Sequence, residues 1–239
     1  MQNKIEKSAI IEPGAILGQG NYIGHFTYIG SNVILGDNNY VANHVNIGTF
    51  SQHSSQKYEL NGYEEINSER KVKVGSNNVI REFVTIHLPT TTPQTQLGSD
   101  CYIMAYNHIS HDSIISSNVI LANNVQIGGH TKIHEFANIG LSTVVHQRST
   151  IGAYSMVGMA SVVNKDVLPF LTVAGNPIRL LGKINKWGMN RFGFSESEIE
   201  AINGYYFADK KNEFVNSIKF ESCLNNFYKD STRERILVK

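Results

Sequence analysis

The sequence lacks the features of several classes of protein. Its two cysteines, Cys101 and Cys223, are far apart and do not have metal-ligand spacing, so they indicate no disulfide framework. No apolar run approaches the 18 or so residues that a membrane-spanning helix needs. The first ten residues contain no continuous apolar segment, so we expect no secretory signal and a cytoplasmic protein.

Charge is also scarce. Charged residues make up 17% of the chain and the formal net charge is +1, so a polyanionic partner such as nucleic acid is not expected. Hydrophobic residues reach 41%, which is enough for a substantial core. A weakly charged surface that is rich in Asn, Ser and Gly indicates a regular β architecture.

What the chain does have is a repeat with a period of six. An aliphatic residue recurs every six positions from Ile23 to Ile47, and again without a break from Leu97 to Val163. The phase is lost at 49–73 and at 88–96, which we predict to be loops that project from the repeat. A period of six fits neither an α-helix nor a long alternating strand. It predicts a β-helix in which each hexapeptide forms one short strand and one corner.

Three hexapeptides close one triangular coil, so equivalent residues of successive coils lie above one another at roughly 4.8 Å. The aliphatic residue points inward, and Gly or another small residue follows it at the corner, where a larger side chain would crowd the turn. The pattern resembles that of the hexapeptide-repeat proteins, which implies a left-handed parallel β-helix. The handedness rests on that resemblance and not on the period. The predicted fold class is therefore mainly β.

The end of the chain has a different pattern. The repeat fades after Val163, and a loop that ends at Pro177 follows. From about Ile178 the pattern turns helical, and Ser195 with Glu198 has the spacing of a capping box. We predict a β-helix domain over 1–177 and a C-terminal helical domain over 178–239.

The stretch AYNHISHDS places His108 and His111 on the repeat, on either side of the inward Ile109. Both are therefore predicted to face outward near one edge of the prism. One coil beyond His111 is position 129, next to His130, and two coils beyond is position 147, next to His146. We predict that His111, His130 and His146 form a line along this edge.

A line of imidazoles suits two chemistries. One histidine could act as a general base. Alternatively, three histidines from adjacent coils and a neighbouring subunit could bind Zn²⁺ with an open position for water, as in a zinc lyase of the carbonic anhydrase type. The helical tail and the two loops favour a larger, organic substrate. The remaining histidines on the repeat, His25, His44, His87 and His134, are interpreted as structural.

Several motifs go beyond the repeat: NHISHD, ILANN followed by GGH, VVHQ, AGNP and GMNRFGFS. Together they resemble the UDP-N-acetylglucosamine O-acyltransferase family of lipid A biosynthesis, and the resemblance extends to STR near the end of the chain. It implies transfer of a 3-hydroxyacyl group from acyl carrier protein to the 3-position of UDP-N-acetylglucosamine. It implies no cofactor beyond the phosphopantetheine thioester of the donor.

The resemblance also implies roles for individual residues. The second histidine of the HxxHD motif is the family's general base, which corresponds to His111. The glycine before the next histidine, Gly129, is implied as the backbone donor that stabilises the oxyanion. The residues implied to bind or orient the substrates are Lys57, His108, His130, His146, Asn185 and Arg191, with Asn185 along the donor groove.

Two positions bear on the substrates. Met159 matches the family position that measures the acyl chain, where Gly leaves the groove open, so a shorter 3-hydroxyacyl chain is predicted. Ser55, counted with the substrate-binding residues, stands where the family usually has Asp, just before Lys57. That change weakens the support of the base unless Asp112 or another group compensates. It makes a 3-amino analogue of UDP-N-acetylglucosamine an alternative acceptor, since an amine needs less help to attack.

Partners follow from the same residues. Basic residues outnumber acidic ones between Lys165 and Arg191, which suits docking of an acidic acyl carrier protein. The flat, weakly charged faces of the prism are suited to packing against other copies of the chain. The resemblance also implies active sites between subunits, so we predict a homotrimer. An acyl-CoA-dependent acyltransferase that acts on another nucleotide sugar is an alternative reading, and the zinc lyase is a further one.

Overall fold

A prism of three parallel β-sheets forms most of the chain. The computed structural model describes residues 2–53, 58–59, 62–63, 69–208, 215 and 217–236. Each short strand pairs with the strand one coil later, so Tyr102, Ile120, Asn138 and Met156 occupy successive rungs. The predicted β-helix, with three hexapeptides in each coil, is confirmed.

The strands visit the three faces of the prism in turn. The first face contains Lys4–Ile5, Tyr22–Ile23, Tyr40–Val41, Val79–Ile80, Tyr102–Ile103, Ile120–Leu121, Asn138–Ile139, Met156–Val157, Leu171–Ala174 and Arg179–Ile184. The second face contains Ile10–Ile11, Tyr28–Ile29, Asn46–Thr49, Thr85–His87, His108–Ile109, Gln126–Ile127, Val144–Val145 and Val162–Val163. The third face contains Ile16–Leu17, Val33–Leu35, Lys71–Val74, Gln94–Leu97, Ile114–Ile115, Lys132–Ile133 and Thr150–Ile151.

The core is a stack of inward aliphatic residues. Ile103, Leu121, Ile139 and Val157 lie one above another and are fully buried. Burying a side chain of this size contributes about 1.5–3 kcal/mol. Because the repeat supplies one such residue per hexapeptide, the stack holds successive coils in register.

Each corner uses two residue types for different reasons. Gly140 follows an inward isoleucine, and a Cβ at this position would lie 2.6 Å from the backbone nitrogen of Met159, one coil later. The small residue is therefore required by space. The left-handed backbone conformation falls slightly later in the corner, at Ser142 (φ 55°), and equivalently at Asp112 (φ 61°) and His130 (φ 60°). Asp112 and His130 thus occupy the same corner position in successive coils.

Two insertions interrupt the prism. Val72 pairs with Val33 in the preceding coil and with Thr95 in the following one. Each partner is separated from Val72 in sequence by more than three hexapeptides. Each of these two coils therefore carries extra residues. The extra residues follow a strand of the second face and precede a strand of the third face, within the stretches 49–73 and 88–96. The first insertion, which is the longer, contains an antiparallel pair, Tyr58–Glu59 with Gly62–Tyr63.

The C-terminal part begins with a β-hairpin. Arg179–Ile184 pairs antiparallel with Leu171–Ala174, so the helical pattern expected from about Ile178 is wrong for these residues. The strand provides hydrogen-bond partners for the last edge of the first face, which would otherwise be open. The hairpin crosses the proposed domain boundary at 177, and that division stays a prediction.

Among the residues that the structure describes, three helices follow the hairpin: α1 (Lys186–Arg191), α2 (Glu196–Phe207) and α3 (Ile218–Asp230). Ser195 caps α2 and forms the predicted capping box with Glu198. Helical structure expected over 211–228 is present from Ile218 onward, whereas residues 211–214 and 216 lie outside the described residues.

An aromatic corner anchors the segment that contains these helices. Phe136, Tyr154 and Phe170 stack one coil apart, with ring centroids separated by 4.6 and 5.4 Å. Phe192 lies 4.4 Å from Phe136, and Phe194 lies 5.0 Å from Tyr154, both measured between ring centroids. The C-terminal segment is therefore fixed to the prism by aromatic packing.

Phe170→Ala tests this anchor. Phe170 is fully buried, so we expect the free energy of unfolding to fall by about 3–5 kcal/mol. Phe26→Ala is the matched control, because Phe26 has the same corner conformation (φ 57° against 67°) but is 63% exposed. The control should lose less than about 1.5 kcal/mol. Denaturant unfolding measures both variants, and equal losses would contradict the anchor.

Candidate active site

His111 lies at the edge between the second and third faces, directly after the strand His108–Ile109. It is 8% exposed, and its Nδ1 lies 2.7 Å from Oδ2 of Asp112. A carboxylate only accepts hydrogen bonds, so in the neutral ring the proton lies on Nδ1 and Nε2 keeps its lone pair. The pair therefore presents a hydrogen-bond acceptor at Nε2.

The second insertion holds Asp112 in place. Its carboxylate accepts hydrogen bonds from the backbone N–H groups of Thr90, Thr91 and Thr92, at 2.7–3.1 Å. The hydroxyls of Thr90 and Thr92 donate at 2.6 Å. Burial by itself raises the pKa of Asp112, but the bonds from His111, Thr90 and Thr92 lower it, and the resulting pKa is well below the ordinary value. Asp112 is therefore the charged partner of His111. It is a carboxylate of the kind that the family usually has at the position of Ser55.

Gly129 lies against the His111 ring. A Cβ at Gly129 would be 2.6 Å from Cε1 and 2.8 Å from Nε2 of His111, so only glycine leaves room for the imidazole. Within the described part of the chain, the buried Gly129 N–H has no hydrogen-bond acceptor. Gly129, whose N–H is an unused donor, therefore packs against the part of the ring that contains Nε2.

Two further imidazoles flank His111. The rings of His130 and His53 each contact it edge to face, with centroids 5.4 Å away. Nε2 of His130 lies 3.6 Å from Oδ2 of Asp112. Burial lowers the pKa of His130, and the charge of Asp112 opposes part of this shift. The structure brings together His111 and His130 as predicted, and it adds His53, which the repeat did not reveal.

His108 forms a second pair. Its Nδ1 lies 2.7 Å from the Thr85 hydroxyl, and its ring contacts His87 edge to face at 4.6 Å between centroids. His87 is 5% exposed, and its Nδ1 has no partner among the described residues. Burial, followed by the charges of His108 and His111, lowers the pKa of His87 to about 4. His87, interpreted above as structural, thus packs directly on a candidate substrate-binding residue.

His146 is exposed, and it contacts the C-terminal segment. Its Nδ1 lies 3.0 Å from Nη1 of Arg233 and 3.0 Å from the carbonyl oxygen of Gln147. Of the predicted line of three histidines, His111 and His130 contact each other. His146 instead contacts Arg233 and Gln147.

The remaining candidates lie elsewhere. Asn185 lines a groove of about 730 Å³ on the first face, where its amide accepts from the N–H of Gly188 and donates to the carbonyl of Tyr154. Arg191 ends α1, with its guanidinium 5.5 Å from the centroid of Trp187. Met159 is 69% exposed at a corner. Lys57 and Ser55 lie outside the described residues.

In the described part of the chain, one set of side chains has metal-ligand spacing. Ligand atoms of His111, Asp112 and His130 all lie within 4.8 Å of one another. The oxygens of Asp112, however, already accept the bonds from residues 90–92 and from His111. A metal would have to displace these bonds, so the geometry fits an orienting carboxylate better than a metal ligand.

Among the described residues, no helix combines the length and the apolar character that crossing a membrane requires.

Family models match two parts of the chain. The model described as bacterial transferase hexapeptide (six repeats) matches residues 14–49 and 94–129. Together with the prism, this defines a hexapeptide-repeat β-helix protein. The model described as UDP N-acetylglucosamine O-acyltransferase, domain 2, matches residues 166–217, which include the hairpin strand Arg179–Ile184, α1 and α2.

Solved structures resemble the whole chain. UDP-N-acetylglucosamine O-acyltransferase (LpxA) from Moraxella catarrhalis is 30% identical, with a TM-score of 0.70 over 99% of this chain and 98% of that one. LpxA from Acinetobacter baumannii is 28% identical, with a TM-score of 0.80 over 98% and 99%. These neighbours are left-handed β-helices, which confirms the expected handedness. The chain belongs to the UDP-N-acetylglucosamine O-acyltransferase family.

Curated relatives match a shorter stretch. The acyl-[acyl-carrier-protein]–UDP-N-acetylglucosamine O-acyltransferase of Herminiimonas arsenicoxydans is 45% identical over 138 residues, which are 57% of this chain and 52% of that protein. The match thus spans about half the length of these relatives.

The low pKa of His87 predicts a loss of stability in acid. The unfolded chain binds a proton at this residue near pH 6.5, whereas the folded chain binds it only near pH 4. Stability is therefore lost as pH falls from 6.5 towards 4, by about 2 kcal/mol between pH 7 and 5. His87→Gln should remove this share of the pH dependence, measured by denaturant unfolding at both pH values. An NMR titration that finds His87 protonating near pH 6.5 in the folded protein would contradict the prediction.

Proposed function

We propose that the protein transfers a 3-hydroxyacyl group from the thioester of acyl carrier protein to the 3-position of UDP-N-acetylglucosamine or of its 3-amino analogue. The observation that carries the proposal is the His111–Asp112 pair, whose imidazole packs against Gly129, a residue with an unused backbone N–H. The Herminiimonas relative is named for an acyl-carrier-protein donor and a UDP-N-acetylglucosamine acceptor, and the Moraxella enzyme is named for the same acceptor.

The proposed reaction is a direct transfer. Nε2 of His111 takes the proton from the acceptor as its oxygen or nitrogen attacks the thioester carbonyl carbon. The carbonyl oxygen becomes an oxyanion, which the Gly129 N–H stabilises, and one such donor contributes about 3 kcal/mol. The carbon–sulfur bond then breaks, and the thiol leaves with the proton that His111 carries. In this proposal, His108 and His130 orient the acceptor.

The acceptor atom depends on the support of the base. Asp112 orients His111 and stabilises the imidazolium that forms, so a carboxylate is present although position 55 is a serine. This supports a hydroxyl acceptor as well as an amine acceptor. The roles of Ser55 and Lys57 stay predictions.

The groove on the first face supports a donor site. Met156, Leu181 and Trp187 give it apolar walls that suit a pantetheine arm and an acyl chain. Lys183 and Lys186 also line it, and they would attract an acidic carrier protein. Lys165, in contrast, is already paired with Glu234 at 2.6 Å.

In this proposal, two copies of the chain join these parts. The groove lies on the first face, whereas His111 lies at the edge between the other two faces. A donor in the groove of one copy is therefore expected to reach His111 of a neighbouring copy. This supports the expected homotrimer with shared active sites, and the cytoplasmic location stays a prediction.

Mass spectrometry of products tests the reaction. UDP-N-acetylglucosamine and its 3-amino analogue are each incubated with 3-hydroxyacyl carrier proteins of several chain lengths, and with the matching acyl-CoA. We expect acylated product from the carrier-protein donors, and His111→Ala should lower kcat by about 10²–10⁴-fold. His25→Ala is the matched control, because His25 also precedes a left-handed corner residue. No product from either acceptor would remove the proposal.

Met159→Gly tests the proposed chain ruler. Each methylene that gains a buried site contributes about 0.8 kcal/mol, or about fourfold in kcat/KM, so the preferred donor should become longer by a few methylenes. Leu141→Gly is the control, because Leu141 has the equivalent corner position one coil earlier. Unchanged preference in Met159→Gly contradicts the ruler.

A further inference from the structure

The last described segment of the chain is fastened to a buried carboxylate. Asp166 is fully buried, and its Oδ2 accepts from the Ser231 hydroxyl at 2.8 Å and from the Arg233 N–H at 3.0 Å. Its Oδ1 accepts from the Thr150 N–H at 2.7 Å. Backbone hydrogen bonds with Glu234 and Ile236 flank these contacts. The backbone of Arg233 is therefore held at a defined position beside the prism.

The guanidinium of Arg233 reaches from this segment to the edge between the second and third faces, where His111 and His146 lie. This edge is called the active-site edge below. Nη2 donates to the carbonyl of Asn164 at 3.2 Å, and Nη1 donates to the carbonyl of Gln147 at 3.1 Å. Nη1 also lies 3.0 Å from Nδ1 of His146. A guanidinium stays charged and has only donors, so the contact with His146 is a hydrogen bond only if Nδ1 offers a lone pair.

The other tautomer is less favourable here. A proton on Nδ1 could be donated to the Gln147 carbonyl at 3.0 Å, but that N–H would then point towards the same cation. The Gln147 carbonyl already accepts from Arg233 in either case. A lone pair on Nδ1 forgoes the neutral bond to Gln147 but accepts the charge-assisted bond from Arg233, which is the stronger of the two, so Arg233 decides between the two forms.

We propose that Arg233 is a positioning residue that fixes His146 as the tautomer with its proton on Nε2. His146 then presents a donor at this edge and binds an acceptor atom, such as a carbonyl or phosphate oxygen of the nucleotide sugar. That role rests on the proposed function, whereas the tautomer does not. The arrangement is the reverse of His111, whose carboxylate partner places the proton on Nδ1.

NMR of the full-length chain with ¹⁵N-labelled histidine tests the tautomer at neutral pH, with the His146 signals assigned from a His146→Gln variant. We expect an unprotonated Nδ1 and a protonated Nε2. In Arg233→Gln, which keeps the backbone bond to Asp166, the signals should move towards a mixture of tautomers, and Arg233→Lys should restore part of the preference. Arg235→Gln is the matched control from the same segment, because the Arg235 guanidinium contacts Tyr228 and the Ser231 hydroxyl and makes no contact with His146. A protonated Nδ1 in the unmodified chain, or unchanged signals in both Arg233 variants, overturns the proposal.

Kinetics add a second measurement. Arg233→Gln should raise KM for the nucleotide sugar about tenfold, which is the contribution of one hydrogen bond, with a smaller change in kcat. A fall in kcat at unchanged KM would overturn the binding role. If no acceptor is turned over by any variant, the proposed function fails while the NMR result still decides the tautomer.

Discussion

The closure of three hexapeptides into one coil is the constraint on which the rest of the structure depends. Because inward aliphatic side chains stack directly above one another, every corner position recurs at the same place one strand spacing away. Asp112, His130 and Arg148 therefore share one backbone conformation, with φ of 60–63°, along one edge. The core thus sets the distance between functional groups as well as the stability of the prism. A change that shifts one coil would move the imidazoles relative to one another.

The extra residues of the second insertion turn that edge into a site. A corner without them would leave Asp112 with few donors, and a buried carboxylate without hydrogen bonds is costly. The turn at 90–92 supplies backbone N–H groups and the hydroxyls of Thr90 and Thr92, which keep the carboxylate charged and fixed. His111 gains a stable orientation through its bond to this carboxylate. The regular repeat provides the frame, and the irregular part provides the chemistry.

The same division explains what could be predicted from sequence. The contact between His111 and His130 follows from counting, because no insertion separates them. The contacts of His53 and His87 with the later histidines could not be predicted in this way, because the two insertions break the six-residue register between them and the later coils. The strand Arg179–Ile184 was missed because it depends on an open sheet edge, which is a tertiary constraint. In the proposed function, the places of Asn185 and Met159 relative to the donor depend on a second copy of the chain, which no pattern within one sequence describes.

The spacing of the histidines in the sequence does not determine which imidazole at the active-site edge acts as a base and which acts as a donor. The charge of the group that contacts Nδ1 of each histidine determines it. Asp112, held by the second insertion, leaves the lone pair of His111 on Nε2, where a base is needed. Arg233, held by the last described segment through Asp166, has the opposite charge and in our proposal leaves a proton on Nε2 of His146. In this proposal, two segments outside the regular coils give the same residue type opposite functions, and the bonds between the last described segment and the buried Asp166 hold Arg233 where that function requires it.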